Sequence, residues 1–247
     1  MESGAVAILA AMGEEIAGLR SRLRGPRRLR VERSDLVFGH LEDVPVLVAR
    51  TGDGAENAAR GAAVLFDRFP VRGAVVVGIS GGLSPALEPC TVLAARDIVE
   101  GGRAAPPPDA VWLARLLRDT GATPATFVSS REMLCTVRAK QEAYAGLPPG
   151  SIASVDVESA AFARAAAGRG IPYVALRAVS DPAEESLPLD FNTLRDGSGA
   201  IDRRRVALRA LRRPGLVVPL WRLRRRAGLC SEALRRAVSA LLAGGVP

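Results

Sequence analysis

Two acidic residues stand where a folded chain can put a carboxylate to use. Glu158 follows the short apolar run Ile152 to Val155 and opens an alanine-rich segment; Asp181 closes a second apolar run, Tyr173 to Val179, just before Pro182. Ala161, Phe162, Ala165 and Ala166 recur at helical spacing and Gly168 and Gly170 end the pattern, so Ser159 to Ala167 reads as a helix between two strands. Ligands of open α/β sheets bind outside the carboxyl ends of the strands. Two acids delivered there could face one ligand, where carboxylates serve as proton donors, bases or counter-charges. Each also has a structural use. Glu158 would complement the positive end of its helix, and Asp181 would start a turn. Spacing alone leaves both readings open. Asp156 reads as a cap or surface residue.

The rest of the chain supplies elements to hold these acids. Ala5 to Met12 reads as a buried first strand, and Glu14 to Leu23 as a helix with Ile16, Leu19 and Leu23 on one face, broken by Gly25-Pro26. Leu29 to Val31, Leu36 to Gly39 and Val44 to Ala49 read as short strands of a meander. Thr51-Gly52-Asp53-Gly54 precedes a helix from Ala55 to Phe69. Glycine amides at a helix start suit an anion, and a plain tight turn is the equal alternative. Gly73 to Ile79 is the most strand-like run, and Ser80-Gly81-Gly82 after it suggests close backbone approach to a ligand or a neighbouring strand. Thr91 to Val99 and Ala125 to Ser129 read as strands, Asp109 as the cap of a helix to Asp119, and Val137 to Ala145 as a helix. Pro182 to Gly199 is polar and turn-rich, as an active-site lid would be. The expectation is a three-layer α/β domain over residues 1–200, with a mixed twisted central sheet flanked by helices, and a helical extension over residues 201–247.

Composition narrows the classes. Hydrophobic residues make up 48% and charged residues 24% of the 247, which is ordinary globular usage. Cys90, Cys135 and Cys230 are scattered, without metal-ligand spacing or a disulfide framework, which points to a reducing, cytoplasmic setting and to no metal. His40 is the one histidine, so a His-based triad or a His-rich metal site has little to work with; it follows Gly39 at a strand end and reads as structural. The N-terminal residues do not resemble a signal peptide, and no apolar stretch reaches the ~20 residues that span a bilayer. Net charge is +8 and pI 10.7, much of it in Arg203 to Arg236. This tail reads as three helical pieces, broken at Pro214-Gly215 and near Gly228. Leu220, Leu223, Ala227, Leu234, Val238 and Leu241 share one face, with Arg222, Arg224, Arg225, Arg226, Arg235 and Arg236 around it. It would pack on the core, lie on an anionic membrane surface, or contact nucleic acid. Nucleic acid ranks last: no helix-turn-helix or zinc-finger pattern accompanies the tail, and 2 Trp, 2 Tyr and 6 Phe are poor material for base stacking.

Five stretches in order carry a resemblance: Ala10-Ala11-Met12-Gly13-Glu14-Glu15-Ile16, Thr51-Gly52-Asp53-Gly54, Gly78-Ile79-Ser80-Gly81-Gly82-Leu83, Val155-Asp156-Val157-Glu158-Ser159 and Leu176-Arg177-Ala178-Val179-Ser180-Asp181. Over most of residues 5–200 the chain resembles the nucleoside phosphorylase and nucleosidase superfamily of the purine/uridine phosphorylase type, which includes the methylthioadenosine/S-adenosylhomocysteine nucleosidases. Ser180-Asp181-Pro182-Ala183, Leu187-Pro188, Leu194-Arg195-Asp196-Gly197-Ser198 and Arg213-Pro214-Gly215 make the second half most similar to hopanoid-associated phosphorylases, which are assigned the removal of adenine from adenosylhopane.

The resemblance implies cleavage of the N-glycosidic bond of an adenine nucleoside, lipid-linked in the hopanoid case, by a cytoplasmic homodimer or larger homo-oligomer. It implies Asp181 as the acid for purine N7, oriented by Ser180, Glu158 as the ligand of the ribose hydroxyls, and Glu15 as the residue that positions a water nucleophile. Val157 and Met133 would line the pocket, and Ile79, Ser80, Gly81 and Gly82 would approach the base and sugar. Val76 stands where phosphorylases carry a phosphate-binding Arg, Ile79 where the family often has Ser, and Met133 where nucleosidases place an aromatic. Gly52, Gly54, Asn57 and Arg60 are the residues left to form a substitute phosphate site. No cofactor is implied beyond inorganic phosphate as co-substrate. Hydrolysis and phosphorolysis both stay open, and a non-catalytic nucleoside-binding or membrane-associated protein on the same fold is the alternative of another class.

Overall fold

The computed structural model describes residues 4–31, 34–197 and 200–245. In chain order the strands are β1 (Ala5–Ala10), β2 (Arg24–Val31), β3 (Ser34–Leu41), β4 (Val44–Arg50), β5 (Val71–Gly82), β6 (Val92–Glu100), β7 (Arg103–Ala104), β8 (Thr123–Ser129), β9 (Ala153–Asp156) and β10 (Tyr173–Asp181). The helices are α1 (Gly13–Arg20), α2 (Ala55–Arg68), α3 (Ala110–Thr120), α4 (Val137–Ala145), α5 (Ser159–Ala167), α6 (Arg203–Arg212) and α7 (Val217–Ala243). Short 3-10 turns lie at Phe191–Leu194 and Pro214–Leu216.

The strands form one mixed sheet in the order β10-β6-β8-β9-β5-β1-β4-β3-β2, with β7 paired to β6. β5 is long enough to serve three neighbours: β1 and β10 in parallel and β9 antiparallel. The path therefore closes on itself as a ring of β5, β10, β6, β8 and β9, while β1, β4, β3 and β2 extend from it.

The side-chain period of two along a strand explains the layers. Val6, Ile8 and Ala10 of β1 face one side, where they pack with Ile16 and Leu19 of α1, Trp112 and Leu116 of α3, and Leu234, Val238 and Leu241 of α7. Ala7 and Leu9 face the other, with Ala58, Ala62 and Leu65 of α2 and Ala160, Ala161 and Phe162 of α5. Burial on both faces requires continuous apolar runs instead of alternation, which is how β1, β5 and β10 read. The expected three-layer α/β arrangement is the one observed.

Four local expectations are corrected. Gly81 and Gly82 do not follow the β5 run but belong to it, pairing with Val155 and Ser154 of β9. Asp181 is the last residue of β10, not a residue beyond it. The strand expected at Leu29 to Val31 starts earlier, at Arg24, so Gly25-Pro26 sits at a register shift inside β2, and β2 ends the strand order, where an edge tolerates a missing N–H. Gly228 does not break the tail: α7 runs through it without interruption, because a helical glycine costs only ~1 kcal/mol and the helix is anchored beyond it by Cys230, Leu234 and Leu241 in the main core.

Candidate active site

Glu15 is the third residue of α1. Its Oε2 accepts from the Met12 N–H at 2.8 Å, half of a capping box, and its Oε1 accepts from the Ile79 N–H of β5 at 2.9 Å. Burial pushes its carboxyl up to about 7, against the opposing pull of nearby Arg177. Arg177 is itself buried on β10, directly opposite Gly78 of β5. A Cβ at Gly78 would lie 1.7 Å from Arg177 Nη1 and 3.1 Å from Glu15 Oε1. Only glycine there lets the guanidinium and the Glu15 carboxylate share that space.

Arg177 donates through Nε to Asp156 Oδ2 at 2.8 Å and through Nη2 to Ser159 Oγ at 2.9 Å. Asp156 also accepts from the N–H groups of Glu158 and Ser159 and from Ser129 Oγ. It therefore caps α5, but from the interior and not from the surface. Burial alone would raise its carboxyl; Arg177 and Ser159 outweigh that and hold it below the usual carboxylate range. Glu158, the N-cap residue of α5, has no such partner on its side chain and instead accepts from the Gly54 N–H at 2.9 Å. Burial, with Asp156 and Glu15 adding to it and Arg177 opposing, carries Glu158 to about 7. One buried cation thus serves three buried carboxylates, of which Asp156 has the direct ion pair.

The second acidic centre lies three residues along β5. Asp181 pairs with Gly81, and a Cβ at Gly81 would stand 3.1 Å from Asp181 Oδ2. Ser180 Oγ contacts Oδ1 at 2.5 Å, and Lys140 Nζ contacts Oδ2 at 2.5 Å. Lys140 is fully buried and also donates to the carbonyls of Pro182 and Glu185, each at 2.8 Å. Burial raises the Asp181 carboxyl above its ordinary value, with Lys140 and Ser180 opposing. At ~3.3 Å per residue the two centres are about 10 Å apart along the strand.

The remaining expected residues fall around these centres. Ser80 and Val157 are buried, and Ser80 Oγ has no hydrogen-bond partner among the described residues. Ile79 is half-buried, its N–H taken by Glu15. Met133 is half-buried against Leu189, Phe191 and Leu194. The two glycine amides of the Gly52–Gly54 turn are engaged: the Gly52 N–H donates to Ala11 O and the Gly54 N–H to Glu158. Arg60 donates to Asn57 Oδ1, and Asn57 to Asp53 O. His40 is exposed at the far strands, against the edge of Phe38. Cys90 and Cys230, far apart in sequence, have their sulfurs 3.4 Å apart as free thiols.

Three participants escape a reading of the sequence. Arg177 left a signal, a lone charge inside an otherwise apolar strand run. Lys140 left none, because Arg138, Gln141 and Glu142 make its helix look solvated. Asn192 clamps the Met133 backbone, accepting from its N–H and donating to its carbonyl, each at 2.9 Å; this fixes the Phe191–Leu194 turn of the expected lid against Met133.

A 5'-methylthioadenosine/S-adenosylhomocysteine nucleosidase of Geobacillus kaustophilus is 25% identical over 205 residues, covering 75% of this chain and 87% of its own. The same enzyme of Bacillus velezensis is 26% identical over 216 residues, covering 76% and 90%. Among solved structures, the nucleosidase of Neisseria meningitidis in complex with methylthio-immucillin-A superimposes with a TM-score of 0.76 at 19% identity, covering 97% of this chain and 99% of that one. Residues 5–212 match the Phosphorylase superfamily, a span that holds every acid described above, and the chain belongs to that superfamily.

Proposed function

We propose that this enzyme releases adenine from a 5'-substituted adenosine by hydrolysis. The observation that carries the reading is the buried Glu15 carboxylate, fixed by the Met12 and Ile79 N–H groups at the Gly78 end of β5: a base placed to take a proton from water, with burial pushing it up to about 7. Asp181 would donate its proton to purine N7 as the C1'–N9 bond breaks. The orphaned Ser80 hydroxyl is available to a ligand atom between the two centres. The sugar's developing positive charge would be met by the ionised Glu158, whose Oε2 is not engaged by any described donor and can accept from ribose hydroxyls. Water activated by Glu15 would then bond to C1', leaving a free sugar. A span of about 10 Å between the acid centres suits a nucleoside, with its base at Gly81 and its sugar at Gly78.

Support for the substrate class comes from the curated relatives, which are 5'-methylthioadenosine/S-adenosylhomocysteine nucleosidases, and support for water over phosphate from the engaged amides of Gly52 and Gly54. Incubation with 5'-methylthioadenosine and S-adenosylhomocysteine, following free adenine with and without phosphate, tests both. Absence of adenine from either nucleoside sinks the substrate class, and strict dependence on phosphate sinks hydrolysis. Phosphorolysis of adenosylhopane is the second reading. One observation favours its lipid-linked substrate: the apolar cluster at Met133 and Phe191 continues into Leu216, Leu220 and Leu223 of the tail. The same assay with adenosylhopane and phosphate decides it. A cytoplasmic homo-oligomer is part of either reading and is checked by sedimentation.

A further inference from the structure

The net positive charge of this protein comes from one segment. Between Arg203 and Arg226 there are 10 arginines and no acid; without them the chain would carry 24 Lys and Arg against 26 Asp and Glu. Arg203, Arg205 and Arg226 are ion-paired, to Glu14, Asp202 and Glu185. The other seven have no ion-pair partner among the described residues.

The same segment exposes apolar side chains. Leu211 is 78% exposed, Trp221 59%, Val218 54% and Val217 53%. They flank the Pro214–Leu216 turn that joins α6 to α7. Helical spacing explains the pattern: Leu220, Leu223, Ala227 and Cys230 face the protein, and Val218, Trp221, Arg222 and Arg225 the opposite side. The inward face already has its partners, Leu189, Phe191 and Leu194. The outward groups belong to no apolar cluster among the described residues; Trp221 has the Arg225 guanidinium over its ring, 5.8 Å from the centroid.

We infer that this elbow docks on an anionic lipid bilayer, with Leu211, Val217, Val218 and Trp221 entering the interface and the unpaired arginines on the headgroups. Charge selects this occupant. A second copy seated face to face would oppose arginines with arginines. A nucleic acid would match the charge but would leave Leu211, Val217 and Val218 without apolar cover, whereas a basic amphipathic surface with Trp at the interface meets both demands of a membrane surface. No helix among the described residues is long and apolar enough to cross a membrane, so the contact is peripheral. The inference stands apart from the reaction proposed above.

The full-length protein should pellet with phosphatidylcholine vesicles that contain phosphatidylglycerol, and not with phosphatidylcholine alone. Binding should weaken steeply with salt. Trp112 is buried in the core, so a blue shift of emission on vesicle addition reports Trp221. Trp221→Asp should lower vesicle affinity about tenfold or more, and Arg222, Arg224 and Arg225→Glu together more than about a hundredfold. The inference is overturned if phosphatidylglycerol vesicles do not bind the protein, or bind it without an emission shift while a short oligonucleotide binds equally well. It is also overturned if the protein is a dimer that Trp221→Asp dissociates, which would assign the face to a second copy.

Discussion

Lys140 Nζ lies 2.5 Å from Asp181 Oδ2, and both side chains are withdrawn from solvent. The ammonium is held by carbonyls of Pro182 and Glu185 as well, so it fixes both the acid and the start of the segment that follows it. With Lys140 on Oδ2 and Ser180 on Oδ1, a proton on Asp181 belongs on Oδ1, shared with a hydroxyl that can accept as well as donate.

Removing one partner of a buried ion pair leaves the other uncompensated, a cost of ~3–5 kcal/mol. Lys140→Met should lose about that much stability in urea unfolding, and Lys140→Met with Asp181→Asn should recover part of it. Equal losses in the single and double variants would show that the pair itself carries no weight.

Asp181→Asn and Glu158→Gln should fold, because each keeps size and the acceptor oxygen that a charged or backbone donor uses; Glu15→Gln keeps size but replaces one of two accepting oxygens by an NH2, which leaves the Met12 or the Ile79 N–H unpaired and costs about 1–3 kcal/mol. Each should slow adenine release by roughly 10²–10⁴-fold, the usual contribution of a positioned acid or base. The KM should rise most in Glu158→Gln, the variant that alters the proposed ribose contact. Wild-type rates in Asp181→Asn would remove it from the chemistry.

Burial pushes Glu15 and Glu158 both up to about 7, and the proposed reaction uses both ionised. The rate should therefore fall as pH drops below about 7, more steeply than one proton allows, and Glu15→Gln should reduce the residual activity's acid limb to a single step. Stability runs the other way. The folded values exceed the ordinary 4.5, so their contribution is complete below about 4.5 and is lost as pH rises through about 7. Urea midpoints of the wild type should accordingly include a loss between these pH values that Glu15→Gln and Glu158→Gln diminish.

Gly78→Ala should be the most damaging single methyl in the site, since the added carbon would stand 1.7 Å from Arg177 Nη1. Arg177 cannot move without leaving Asp156. Overpacking of this kind costs ~1–3 kcal/mol, and adenine release should fall with it. Gly121→Ala, open around its would-be Cβ but at φ +66°, is the control: it should lose stability through backbone strain and keep its turnover.

How much of this could be read from residue types alone differs between elements. Val137–Ala145 and Ser159–Ala167 have the bounds that their spacing predicts, and Asp109 caps α3 as expected, accepting from the Trp112 N–H. Local chemistry decides such ends. The acids at strand ends were legible because α/β sheets gather such positions. Lys140 was not, because the groups that hold it, Asp181, Pro182 and Glu185, lie more than forty residues downstream. Nor was the length of α7: Gly228 is a local signal, and the core contacts that override it come from α1 and α3. The Gly52–Gly54 turn shows the same limit, since the glutamate that occupies Gly54 comes from the distant start of α5.

α7 connects what the chain keeps apart. Over 27 residues, about 40 Å at 1.5 Å per residue, it runs from the exposed Trp221 into the core. On the way Arg226 donates to the Ser180 carbonyl, Cys230 to Val179 O, and Ser231 to the Glu15 carbonyl. α7 thus touches the proposed docking surface at one end and the backbone of both acid centres along its length, and any coupling it carries between them must be reciprocal. Whatever factor a vesicle surface changes nucleoside affinity by, nucleoside must change vesicle affinity by the same factor, so calorimetry at either end reads the coupling at the other.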